Sequence, residues 1–129
     1  MLVLLSRLSQ CPFAVKSGGH SAFAGAATIE GGITVSFENL RDIKLSSDKK
    51  TVTVQPGNDW ASVLTALSTT GVTVVGGRLG DIGVGGLTLG GGISFLSNEY
   101  GLACDNVASF DVSVQPRVLL NNLLTSSRW

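Results

Sequence analysis

Several residue types that would announce a chemistry are scarce in this chain of 129 residues. Only two cysteines occur, Cys11 and Cys104, far apart and without the close spacing that holds zinc or builds a disulfide framework. They are expected to be buried free thiols. Nine basic and nine acidic side chains cancel and are scattered rather than blocked, so the chain carries no electrostatic footprint for nucleic acid or for an anionic membrane. Any anionic ligand must therefore be held locally. The opening "MLVLLSRLSQ" is too short for a membrane span and lacks the basic lead and small-residue cleavage site of a signal peptide. It reads as an amphipathic helix. No N-x-[ST] acceptor occurs, so nothing positive marks the secretory route, and the compartment stays open. There is no internal repeat, and the glycines follow no fixed period.

What remains is a folded-domain composition, 43% hydrophobic and 14% charged, long enough for one ordinary domain and its core. After the helix at 2–9, "PFAVK" (12–16) reads as a strand ending at the "SGGHS" turn. Residues 32–37 and 51–54 are runs of β-branched residues, expected to be neighbouring antiparallel strands, with "NLRDIKL" and a polar turn between them. The stretch "DWASVLTALSTTG" places Trp60, Val63, Leu64 and Leu67 at helical spacing. Asn58 or Asp59 can cap it and Gly71 stops it. Residues 72–75 read as a strand, 93–101 as a short helix, and 107–114 as a final strand.

Two glycine-rich stretches interrupt this pattern. In "KSGGHSAFAG" (16–25) the chain's only histidine, His20, lies just past a strand end in a turn shaped for close backbone approach. In "GGRLGDIGVGGLTLGGG" (76–92) nine glycines crowd together. Such density costs entropy on folding and packs little, so either tight turns or a ligand requires it. Backbone N–H groups there can converge on an anion, a diphosphate above all. The standard phosphate signatures are missing, however. There is no G-x-x-x-x-G-K-[ST], and G-x-G-x-x-G fails at Thr88.

The order "VKSGGHS", "GGITVSFENLRDI", "VTVQPGNDWASVLTAL" and "GGRLGDIGVGGLTLGGGISFLSNEYGLACDNV" resembles the FAD-binding PCMH-type domain of flavin oxidases related to vanillyl-alcohol oxidase, and most closely the berberine-bridge-enzyme-like group. The resemblance covers residues 10–114. It implies an α+β fold of two subdomains, with a mixed or antiparallel sheet and flanking helices, holding an extended FAD between them. On this sequence it makes His20 the covalent flavin attachment residue. Ser17, Gly18, Gly19 and Ser21 would line the diphosphate, and Gly83, Val84, Gly85 and Gly86 would close on it from the second subdomain. Tyr100, Asp105 and Asn106 fall where the family chain turns back toward the cofactor. A neutral imidazole is a nucleophile able to attack an electrophilic flavin carbon, which suits His20 to that role. The alternative for a lone histidine is an ordinary surface or core ring, and its place at a strand end inside a glycine turn favours attachment.

The chain also departs from the family. Doubly linked members carry a cysteine where Leu79 stands here, so a second link is not expected. Trp60 is expected to anchor its helix in the core, and Arg78 to meet either the diphosphate or solvent. Residues 1–115 are thus expected to form a partial FAD-binding domain with a subdomain break near 25–32. Residues 116–129 are expected to be an atypical tail in which Leu119, Leu120, Leu123 and Leu124 can share a helical face, and no substrate domain is expected within these residues. The implied function is the FAD-binding portion of an oxidase passing substrate hydride to flavin and electrons to oxygen. The small-molecule substrate would meet only a full-length parent, and no catalytic residue falls in this chain. The alternative is a non-catalytic fragment with little or no FAD binding.

Overall fold

A computed structural model describes residues 2–112. In chain order its elements are α1 (Leu2–Ser9), β1 (Phe13–Lys16), β2 (Ile33–Ser36), β3 (Ile43–Leu45), β4 (Val52–Val54), α2 (Trp60–Leu67), α3 (Val84–Leu89) and α4 (Ser97–Tyr100), followed by a 3₁₀ turn at Ala103–Asn106. The class is α+β, with two small two-stranded sheets, one parallel and one antiparallel.

β1 and β2 pair in parallel, Phe13 opposite Ile33 and Lys16 opposite Ser36. Flanking bonds from Ile33 N to Pro12 O and from Phe37 N to Lys16 O, both 2.9 Å, extend the ladder. Parallel partners need a long crossover. Residues 17–32 provide it, and the histidine turn sits at its start. β3 and β4 pair antiparallel, Ile43 opposite Val54 and Leu45 opposite Val52. Ser46 Oγ donates to Asp48 Oδ1 at 2.6 Å and accepts from Thr51 N at 3.0 Å, closing the hairpin turn. That serine hydroxyl and the Lys50 amide hold the Asp48 carboxyl below the usual carboxylate range.

This pairing corrects the expected one. Residues 32–37 and 51–54 are not neighbours: the first lies beside β1, and the second takes 43–45 as its partner. The hairpin wins because its strands are joined by a six-residue turn, and Ile43 and Leu45, two apart, share the core-facing side.

The core is centred on α2. Trp60, Val63 and Leu67, spaced as one helical face, are buried together with Val84, and Ile43, Leu45, Val52, Val54, Val72, Val74, Ile82 and Leu87 pack around them. Leu64, expected on this face, lies 39% exposed at its edge. Asp59 caps the helix, its Oδ1 accepting Ser62 N at 2.8 Å. Beneath Trp60 the chain must be bare: a Cβ on Gly77 would lie 2.6 Å from Trp60 Cδ1, and one on Gly76 would enter the ring itself.

Three further expectations change. Residues 72–75 form no strand, although Val72 and Val74 keep a period of two against the core. No described segment pairs with them, and β-branched composition alone does not make a ladder. Residues 107–112 are likewise unpaired, while 113–114 and the tail at 116–129 lie outside the described residues. α1 forms as expected, but Leu4, Leu5 and Leu8 are exposed. Its buried residue is Ser6, whose hydroxyl donates to Cys11 O. Both cysteines are free, yet neither is buried: Cys11 is half-buried and Cys104 exposed, because Ala103 is the residue that the last turn turns inward. Among the described residues no helix is long and apolar enough to cross a membrane.

Candidate cofactor site

The start of α2 positions the glycine-rich region. A helix leaves its first amides without internal partners, and here the loop before α3 supplies acceptors. Trp60 N donates to Ile82 O at 3.1 Å and Ala61 N to Gly80 O at 2.9 Å, while Val84 N donates back to Asn58 O at 3.0 Å. Asn58, 3% exposed, is itself fixed by Nδ2 bonds to Gln55 O (2.9 Å) and Asp42 O (3.4 Å). The Asp59 carboxyl lies below its ordinary range because it accepts the Ser62 amide and hydroxyl. Residues 80–84 are thereby tied to the most buried part of the fold.

Against this loop lies the other glycine stretch. A Cβ on Gly18 would stand 2.5 Å from Gly83 N and 2.7 Å from Gly83 Cα, and one on Gly85 would stand 3.0 Å from Ser17 Oγ. Ser17 Oγ donates to Pro56 O at 2.5 Å and accepts from Gly85 N at 3.3 Å. Ser17 and Gly18 are thus brought together with Gly83, Val84 and Gly85 in one seam where backbone meets backbone. Val84 itself points into the core, 7% exposed. Gly86, one residue further, is exposed, with nothing within 4 Å of a Cβ placed there.

Gly19 follows the seam with φ +71°, a left-handed conformation that glycine adopts without cost, and the chain then passes to His20 and Ser21. Both are exposed. Ser21 Oγ accepts Phe23 N at 3.3 Å, starting a loop whose concavity of ≈ 230 Å³ is lined by Lys16, Gly19, Ser21, Phe23 and Thr28 among others.

Tyr100, Asp105 and Asn106 form a different cluster, at the far end of α3. Ala103 N and Cys104 N donate to Gly92 O and Gly91 O at 2.8 and 2.9 Å. Asn106 Nδ2 bonds Tyr100 O and Leu102 O, and Asp105 Oδ2 accepts Leu102 N. These contacts close a turn. The neighbouring Glu99 raises the Tyr100 hydroxyl above its usual pKa. Arg78 is exposed beside a shallow groove that includes Leu79, Ile82 and Ile93.

Two residues that hold the site carry no functional signal in the sequence. Pro56 accepts the Ser17 hydroxyl, and Lys16 lies along Gly19. Within the stretch 76–92, whose glycines either tight turns or a ligand requires, lies the segment 83–86. It is the N-cap and first turn of α3, where bonds to α2 override the poor helix propensity of glycine.

In this α+β fold two glycine segments distant in sequence are pressed together, bare backbone against bare backbone. Residues 2–115 match the family model for the FAD binding domain, and the chain belongs to that family. It is 46% identical over 112 residues to the FAD-dependent monooxygenase FUP4 of Fusarium proliferatum, covering 87% of this chain and 22% of that protein. It is 45% identical over 115 residues to an uncharacterized FAD-linked oxidoreductase of Arthroderma benhamiae, covering 89% and 23%. Among solved structures, 6-hydroxy-D-nicotine oxidase of Arthrobacter nicotinovorans superposes with a TM-score of 0.75 at 29% identity, over 80% of this chain and 22% of that one. Xylooligosaccharide oxidase of Myceliophthora thermophila gives 0.72 at 33%, over 80% and 22%. The chain spans about a fifth of the length of these relatives. FAD is the ligand that the family defines, and in the seam a Cβ at Gly18 or Gly83 would run into the backbone of the opposite segment, so only glycine lets the two segments meet there.

Proposed function

We propose that residues 1–115 are the cofactor-binding part of an FAD-dependent oxidase of the berberine-bridge-enzyme-like kind, with His20 as the covalent attachment point. The domain divides near residues 25–32. The observation that carries this reading is the contact of Gly18 with Gly83, two residues before His20. Ser17, Gly18, Gly19 and Ser21 line one side of the diphosphate and Gly83, Val84, Gly85 and Gly86 the other, with Tyr100, Asp105 and Asn106 at the outer end. A bound flavin would supply a hydride acceptor that oxygen can reoxidise. This chain's residues hold and orient it. Ser17 locks the two segments together, Gly18 and Gly83 admit close backbone, and the exposed His20 ring is free to reach a ligand at the mouth of the seam. The base and the substrate pocket belong to other parts of a longer parent, and the chain alone turns nothing over.

Incubation with FAD tests this. The expected result is a yellow protein that keeps its colour after denaturation and gel filtration, with the colour lost in His20→Ala. Flavin that binds but leaves on denaturation would remove the covalent link only. The second reading is a non-catalytic chain with little or no FAD binding, and a chain that takes up no FAD would favour it. Several relatives are named monooxygenases, whereas the structural neighbours above are oxidases. Stoichiometric hydrogen peroxide from a full-length parent is the outcome expected of an oxidase.

A further inference from the structure

We infer that Lys16 is a further anion-binding residue of this site, placing its ammonium against the diphosphate from the His20 side. The inference rests on the FAD reading above and adds a charge to a seam so far built from backbone and one hydroxyl. Lys16 is the last residue of β1, half-buried, and its side chain does not run out into solvent. It folds back along the turn. A Cβ on Gly19 would lie 2.7 Å from Lys16 Cε and 3.5 Å from both Cδ and Cγ, so the whole stem follows the left-handed glycine that joins the seam to His20. Packing an apolar stem while leaving the charged end free is the usual way a lysine serves a partly open site.

The surroundings select the ligand's charge. Lys16 lines the concavity of ≈ 230 Å³ with Gly19, Ser21, Phe23, Ala24 and Thr28, and no carboxylate belongs to that lining. Asp42 pairs with Lys44 at 3.6 Å and does not line this concavity. A cation held in a concavity without a counter-charge, next to bare glycine backbone, suits a phosphate oxygen. The chain as a whole is neutral, so it offers no general attraction for anions, and a local cation carries correspondingly more of the affinity. Lysine acts here as a point charge rather than a bidentate fork.

The experiment is FAD titration of the full chain, followed by flavin fluorescence, at low and at physiological salt, for the parent, Lys16→Met, Lys16→Gln and Lys16→Arg. Methionine keeps much of the stem and removes the charge. Lys16→Met and Lys16→Gln should each bind FAD roughly ten-fold more weakly, the loss expected for one charge-assisted hydrogen bond. Their affinity should respond less to salt than the parent's. Inorganic pyrophosphate should displace FAD from the parent at lower concentration than from either neutral variant. Lys16→Arg should recover most of the loss, and thermal midpoints without FAD should match the parent in at least one neutral variant. Equal FAD affinity and equal salt response in the parent and a folded neutral variant overturn the assignment of Lys16 alone. A parent chain that fails to bind FAD overturns the FAD reading, and this inference with it.

Discussion

Gly18 and Gly83 touch through their backbones, with only 2.5 Å between Gly83 N and the place a Gly18 Cβ would occupy. Neither neighbour can yield cheaply, because the atoms met are main chain on both sides and residues 80–84 are bonded to the start of α2. Gly18→Ala and Gly83→Ala should each destabilise the chain by about 1–3 kcal/mol through overpacking. Each should also abolish flavin retention by prising the two segments apart. Thermal melts with and without FAD provide the check, and an alanine variant that melts and binds like the parent would sink the seam.

Gly86 separates ligand contact from packing. It is exposed, a Cβ there meets nothing within 4 Å, and it lies inside α3. Alanine in a helix interior is favoured over glycine by roughly 0.5–1 kcal/mol. Gly86→Ala is therefore expected to raise the melting temperature of the chain without FAD while weakening FAD binding, since the added methyl enters the face assigned to the diphosphate. A variant that is stabilised and binds FAD unchanged would take Gly86 out of the site.

Ser17 should show the cost of a half-satisfied network. Its hydroxyl donates to Pro56 O and accepts from Gly85 N, so Ser17→Ala leaves a part-buried carbonyl and amide without a partner. About 1–3 kcal/mol of stability should be lost. Ser17→Thr, which keeps the hydroxyl, should lose less, and denaturant melts of the two variants would show the order.

The elements that the sequence shows best are those decided by neighbours along the chain. α2 carries its own cap in Asp59 and its own apolar face, α4 was legible as a short helix, and β1 ends where the glycines begin. The elements that were misread depend on distant partners. β2 resembles any β-branched run, and only its pairing across a 16-residue crossover makes it parallel to β1. Residues 72–75 have the composition of a strand and no ladder to join, while α3 contains two glycines that local propensity rejects and that bonds to Asn58 and α2 retain. The seam shared this difficulty. Nothing local in "KSGGHS" points to Gly83; in the sequence only the family resemblance links those segments, and the fold presses them together. Lys16 escaped notice because a lysine ending a strand looks like a solvated charge until its stem is seen lying along Gly19.

Asp59 makes the fold sensitive to acid. Its carboxyl is held below the usual range by the Ser62 amide and hydroxyl. A depressed carboxylate stabilises the fold above its unfolded pKa, about 3.9, and the contribution disappears as pH falls through the lower folded value. Asp59→Ala should cost about 0.5–2 kcal/mol at neutral pH, and the gap to the parent should shrink below pH 3.9. Asp59→Asn, still a good cap, should remain close to the parent at neutral pH. Urea melts across this range would show whether the gap closes, and a gap that widened in acid would contradict the cap's role.

Trp60 combines the largest packing contribution with one unmet demand. The ring is 6% exposed among Val63, Leu67 and Val84, with Gly76 and Gly77 bare beneath it, yet its Nε1 is buried without a hydrogen-bond partner. These two facts pull substitutions in opposite directions. Trp60→Ala removes the ring from the centre of the core and should cost about 3–5 kcal/mol. In a chain this small, that approaches the whole of the stability expected for a domain. Trp60→Phe removes part of the ring together with the unsatisfied N–H. The lost contacts destabilise, but the desolvated donor, a penalty of about 1–3 kcal/mol, is relieved. The net change should stay within about 1.5 kcal/mol of the parent, as for conservative core exchanges. Melting curves for the two variants decide the point: a Phe variant as damaged as the Ala variant would show that Nε1 bears no penalty and that shape alone sets the cost at this position.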